Sequence, residues 1–171
     1  MAEHSFDIGV IVARKKLNSP WADHVWLPHA VLPAVPAAKP WTSLGMSGEL
    51  HLFYAGSCEV ALHSAQSAYY RDNLASGRPS LWVSLQTSGN DCAVLRVTAD
   101  PYEGEALTEA IGGLVEAVPM PQQIQARIAE FVATFHVERP FIKRERDRAD
   151  PDALGRRRPV PDTDMRKWHE R

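Results

Sequence analysis

Residues 80–98 read SLWVSLQTSGNDCAVLRVT, and this stretch decides what kind of fold the chain can adopt. Leu81, Val83 and Leu85 alternate with Trp82, Ser84 and Gln86, the two-residue period of a strand with one buried face. Gly89-Asn90-Asp91 then supplies a turn, and Cys92–Thr98 returns with Val94 and Leu95 near its centre. A return this short forces antiparallel pairing, because a parallel partner needs a crossover of about a dozen residues or more.

The same reasoning runs backward along the chain. LHLFY at 50–54 and EVAL at 59–62 flank Ala55-Gly56-Ser57-Cys58, which predicts a second hairpin with its glycine in the turn. Phe6–Ala13 (FDIGVIVA) reads as a first strand entering the core, with Arg14-Lys15-Lys16 as a solvated exit toward the turn Asn18-Ser19-Pro20. Val25–Leu32 is a further strand, placed at an edge or a bulge by Pro28, which has no N–H to give a central ladder.

Helical spacing takes over elsewhere. Ser64–Ala75 predicts a helix capped by Ser64, with Ala68, Tyr69 and Leu74 inward and Arg71 and Asp72 in water. Gly77 and Pro79 end it. From Glu105 to Val118, the apolar positions Leu107, Ile111, Leu114, Val115 and Val118 predict a second helix, weakened at Gly112-Gly113. A third spans Gln122–Val137 and presents Ile124, Ile128, Phe131, Val132 and Phe135. The expected architecture is α+β: a curved, mainly antiparallel sheet with three covering helices, and an extended charged C-terminal tail.

Composition sets the domain plan. A chain of 171 residues can bury one substantial core, so residues 1–139 are expected to form a single globular α+β domain. That part holds nine Lys or Arg against fourteen Asp or Glu, a net −5. Residues 140–171 hold ten against seven, a net +3, and read as a charged interaction tail or a disordered one. Acidic residues interrupt the basic ones, which favours protein binding or solubility over nucleic acid. The N-terminus lacks the pattern of a secretory signal, and no apolar run approaches the ~20 residues of a membrane span, so a cytoplasmic protein is expected.

The chemistry-bearing residues each have a plainer role. Cys58 and Cys92 show no short metal spacing and no positioned base, so both read as small core residues. A hairpin at 55–58 could bring His51 near His63 and Cys58, yet ordinary polar histidines are favoured, and neither a metal site nor a cofactor is assigned. Asp100, Glu103 and Glu105 precede helical spacing, where negative charge suits the unpaired N–H groups of a first turn. No catalytic residue is assigned.

Aromatic side chains are the better candidates for binding. PWADHVWLPHAVLPAVPAAKPW at 20–41 carries Trp21, Trp26 and Trp41 among five prolines that prevent a long helix. A packed clamp is the simpler reading, and an aromatic-lined groove for a peptide or planar ligand is the functional one. Phe141, Lys143, Arg144, Arg146, Arg148 and Trp168 complete the expected protein-binding set.

These motifs together resemble one bacterial family, domain-of-unknown-function family 3305, over residues 6–148. The resemblance rests on WADHVWLPHAVLP at 21–33, YRDNL at 70–74, PSLWVSL at 79–85 and VTADPYE at 97–103. EAVPMP at 116–121 and PFIKRERDR at 140–148 extend it. It implies association with formate-dehydrogenase or molybdenum-cofactor gene neighbourhoods. The role it implies is an accessory adaptor or chaperone in maturation or assembly of a molybdenum-dependent formate dehydrogenase. Some relatives carry the label of a nucleotide-dependent pterin-processing enzyme. Here the glycine-rich phosphate loop such an enzyme needs is missing, and Arg14-Lys15-Lys16 cannot replace it by charge alone. A nucleotide- or pterin-dependent enzyme and a structural subunit of a complex stand as the alternatives.

Overall fold

The computed structural model describes residues 3–110 and 113–136, all within the first of two units of the chain, Met1–Val137. The chain runs β1 (Glu3–Lys16), β2 (His24–Leu32), β3 (Thr42–Ser47) and β4 (Leu50–His63). A 3-10 turn, Ser64–Gln66, leads into α1 (Ser67–Ala75). Then come β5 (Ser80–Ser88), β6 (Asp91–Thr98), α2 (Pro101–Ala110), β7 (Leu114–Pro119) and α3 (Gln122–Phe135).

All strand pairs are antiparallel, and they divide between two sheets of order β2-β1-β4-β3 and β6-β5-β7. The α+β class, the antiparallel pairing and the three helices are as the sequence predicts. The β5–β6 hairpin turns at Gly89-Asn90, with Ser88 opposite Asp91 and Gly89 at φ +59°.

One hairpin lies elsewhere than expected. Residues 50–63 form a single fourteen-residue strand instead of two strands around 55–58. Its partner across the turn is β3, through the two-residue loop Gly48-Glu49, with Ser47 opposite Leu50. Gly56, at φ +120°, marks a bulge and not a turn. Val10 faces Gly56 while Ile11 faces Tyr54, leaving Ala55 as the extra residue. Gly56 also lies 3.4 Å, measured from an ideal Cβ, from Pro40 of the crossing link. A glycine inside a strand serves such a bulge and close approach as readily as a turn. Pro28 behaves as its chemistry demands: it sits on edge strand β2 beside a register shift, opposite Val12.

β1 is also longer than its apolar run. Arg14, Lys15 and Lys16 remain paired to β2 and β4, so they are strand residues and not an exit. The expected helix at 105–118 is likewise two elements. α2 starts earlier, at Pro101, and ends at Ala110, and Leu114–Pro119 pairs with β5 as β7. Val118 is buried from a strand, opposite Leu81.

The two sheets share one apolar core. Ile8, Val10 and Val12 of β1, Val60 and Leu62 of β4, and Leu81, Val83 and Leu85 of β5 are all fully buried in it. α3 closes it with Ile124, Ile128 and Phe131, a spacing of four and three that keeps them on one face. Phe135 continues that stripe but stays 38% exposed. In α1 the inward residues are Ser67, Tyr70 and Asn73, with Tyr69 turned outward. Of the expected inward residues, Leu74 does pack against the core, while Tyr70 takes the buried place expected for Tyr69. Neither Ser64 nor the helix cap Gln66 makes a side-chain cap bond.

Candidate functional site

The side chains that gather at one end of the first sheet come from four strands in register. Trp26 of β2 lies opposite Arg14 of β1, Arg14 opposite His51 of β4, and His51 opposite Met46 of β3. Directly opposed residues point to the same side of a sheet, so these four form one row. Two residues along β1, Val12 on the same side is fully buried. The row is therefore the mouth of the core, where its apolar lining opens to water.

Aromatic rings make the floor. Trp26 meets Trp41 edge-on at 5.7 Å and Phe53 at 5.5 Å, and His24 stands edge-on to Trp26 at 5.5 Å. His51 packs on Phe53 at 4.2 Å. The Trp26 indole N–H donates to the Asn90 carbonyl at 3.2 Å, which ties this floor to the turn of the second sheet. The Arg14 guanidinium lies over both Trp26 and Phe53, at 5.7 and 5.2 Å from the ring centres. A cation over an electron-rich ring face is held by the ring quadrupole, and a planar guanidinium stacks well there.

Above this floor is an open cleft of about 320 Å³, lined by Arg14, Lys16, Asp23, His24, Met46, Glu49 and His51. Ser43 Oγ and His51 Nε2 are 2.7 Å apart, which orients the His51 ring. His24 Nε2 is sealed from solvent and has no hydrogen-bond partner among the described residues. Among the described residues, no carboxylate or carbonyl pairs with the Arg14 guanidinium.

The residues expected from sequence are distributed unevenly. Trp26, 7% exposed, and Trp41, 39% exposed, come together, whereas Trp21 is 93% exposed and stands outside the ring cluster. Trp41 adopts φ +68°, a left-handed conformation that is rare for a bulky residue, while its N–H bonds the Tyr54 carbonyl. Phe141, Lys143, Arg144, Arg146, Arg148 and Trp168 lie outside the described residues. Arg14, His24, His51 and Phe53 were not singled out for this cleft, because RKK reads as a strand exit. The usable signal was parity: Val10, Val12 and Arg14 share the two-residue period, so Arg14 belongs to the inward set.

Other candidate chemistry is dispersed. His51 and His63 occupy opposite ends of β4, twelve residues apart at about 3.3 Å each, so no hairpin unites them with Cys58. Among the described residues, no group of three or more His, Cys, Asp or Glu is placed to hold a metal ion. Burial pushes the Cys58 thiol up, and pushes that of Cys92 up to about 11. Asp100, 2% exposed, accepts the Tyr102 and Glu103 N–H groups at 2.9 and 3.5 Å, the helix-start role its position implies. Burial raises its pKa, partly offset by those N–H bonds.

A two-sheet α+β protein with a partly exposed aromatic floor and a cation laid on it is the class that fold and cleft define. The chain belongs to the family described as Protein of unknown function (DUF3305), whose model matches residues 7–145. No curated protein and no solved structure matches it. No helix among the described residues is long and apolar enough to cross a membrane.

Proposed function

We propose that this chain is a cytoplasmic, nonenzymatic adaptor or chaperone that binds a polypeptide of a molybdenum-dependent formate dehydrogenase during its maturation or assembly. The family resemblance supplies the class of partner. The observation that supports polypeptide binding is the state of β3. This strand is the outer member of its sheet, all six of its residues are exposed, and TSLGMS contains neither a charge nor a proline. Soluble proteins usually blunt such an edge with Lys, Pro or a cover, since its unpaired N–H and C=O groups accept another strand. Here Leu44 and Met46 are 49% and 65% exposed along it, and the aromatic cleft adjoins it. An extended segment adding to β3 would gain main-chain bonds from the edge and side-chain contacts from the row beside it. On this reading residues 140–171 contribute charged contacts, with Phe141 and Trp168 as apolar anchors.

The test is direct binding of the intact chain to purified formate-dehydrogenase polypeptides, apo and mature, under reducing conditions. Met46→Lys places a charge on the edge strand and is expected to weaken binding about tenfold or more while the fold is retained. A folded chain truncated after residue 139 should also bind less tightly. No binding by the intact chain to any component overturns the reading. Saturable nucleotide binding with turnover would replace it with the enzyme alternative.

A further inference from the structure

The cleft beside the β3 edge has a chemistry of its own. Arg14 is a permanent cation whose guanidinium carbon lies over the Trp26 and Phe53 rings, and whose N–H groups have no acceptor among the described residues. The two rings hold the guanidinium in place and leave its N–H groups for a ligand. Beside it, His24 lines the same cleft. A cation with no acceptor among the described residues calls for one, and a carboxylate offers two oxygens to the guanidinium fork. The rest of the lining sets the remainder of the ligand. Met46, 65% exposed, offers apolar surface in the same lining. Asp23 and Glu49 balance Lys16 and Arg14 around the opening, so the lining is close to neutral and gives a multiply charged anion no net attraction.

We infer that the cleft is a binding site for a single carboxylate carried on an apolar body, held bidentately by Arg14 with Met46 against the apolar part. A volume of about 320 Å³ suits a group of that size. The carboxylate can belong to an acidic side chain flanked by apolar residues or to a small free acid, and the two share this chemistry.

Titrations of the intact chain followed by NMR separate these outcomes. The probes are hexanoate against hexanamide, N-acetyl-Leu-Glu-Leu-amide against its Gln counterpart, and inorganic phosphate. Each acid should saturate, moving the Arg14 Nε–H resonance and the Met46 methyl resonance. Its neutral partner should bind about tenfold more weakly or worse, because a charge-assisted bidentate contact is lost. Stronger binding of the peptide identifies a side-chain carboxylate as the ligand, and stronger binding of hexanoate identifies a free acid. Arg14→Gln should erase the difference between acid and amide, and Arg14→Lys should retain part of it. Equal affinity for acid and amide, an unmoved Arg14 resonance at saturation, or phosphate bound more tightly than carboxylate overturns the inference. The acid–amide comparison uses the unaltered chain, so it stands even where a substitution unfolds the protein. It is also independent of any formate-dehydrogenase component, so its failure is distinct from failure of the adaptor reading.

Discussion

Gly104 of α2 has no room for a side chain. A Cβ there would stand 2.3 Å from Trp82 Cγ and 2.8 Å from Trp82 Cβ, so helix and strand touch through an absent side chain. Alanine favours a helix over glycine by about 1 kcal/mol. Overpacking against a ring anchored in a strand costs about 2–3 kcal/mol. The second effect is larger, so Gly104→Ala should lower stability by about 1–2 kcal/mol in urea unfolding. Asp100, in the turn before α2, gives a pH test. Its carboxyl is raised on folding, chiefly by burial, so the folded state binds this proton more tightly than the unfolded chain. Its contribution is full below the unfolded pKa and is lost as pH rises through the raised folded one. Asp100→Asn keeps an acceptor for the Tyr102 N–H and removes that loss. It should flatten the stability profile across the acidic range, whereas Asp100→Ala should cost about 1 kcal/mol at neutral pH by removing the cap.

At the scale of elements, Asn73 joins three pieces of chain. From the last turns of α1 its amide nitrogen donates to the Ser80 and Ala99 carbonyls, both at 2.8 Å, and its oxygen accepts the Ser80 N–H at 3.1 Å. α1, the start of β5 and the end of β6 are thereby set in one register. Asn73 is 5% exposed, so losing the amide leaves buried groups unpaired. Asn73→Ala should cost about 2 kcal/mol, with amide exchange at Ser80 accelerated beyond that of the β1–β4 ladder. Equal protection loss throughout the chain would show that the latch has no local role. Arg96 and Glu103, paired at 2.7 Å, and the Thr98 hydroxyl donating to Glu103 at 2.6 Å pin the first turn of α2 to β6 in the same manner.

For the described part of the molecule, one core serves both sheets, with β1, β4, β5, β6, β7 and α3 all contributing. Neither sheet keeps a buried face without the other. Unfolding of this part should therefore be a single transition, with indole fluorescence and far-ultraviolet circular dichroism giving coincident urea midpoints. Separate midpoints would mean that the sheets are stable independently. The thiols report on the same packing. Burial holds Cys58 and Cys92 above the ordinary thiol range, so both should react with iodoacetamide at pH 8 far more slowly in native protein than in denaturant.

Sequence alone determined what depends on near neighbours. The alternation in β5, the Gly89-Asn90 turn, the four-and-three spacing of α3, the edge placement of Pro28 and the acidic start of α2 each arise within a few residues. The choice between a turn and a bulge at Gly56 does not, because a flexible φ suits both and the outcome rests on pairing with β1 forty-six residues away. Leu114–Val118 shows the same dependence. Its apolar spacing suits a helix, yet an open ladder position beside β5 makes it a strand. The cleft required tertiary structure most of all. Arg14, Trp26, His51 and Met46 come from four strands, and only their shared register turns a basic run and scattered aromatic residues into one cation on an aromatic floor.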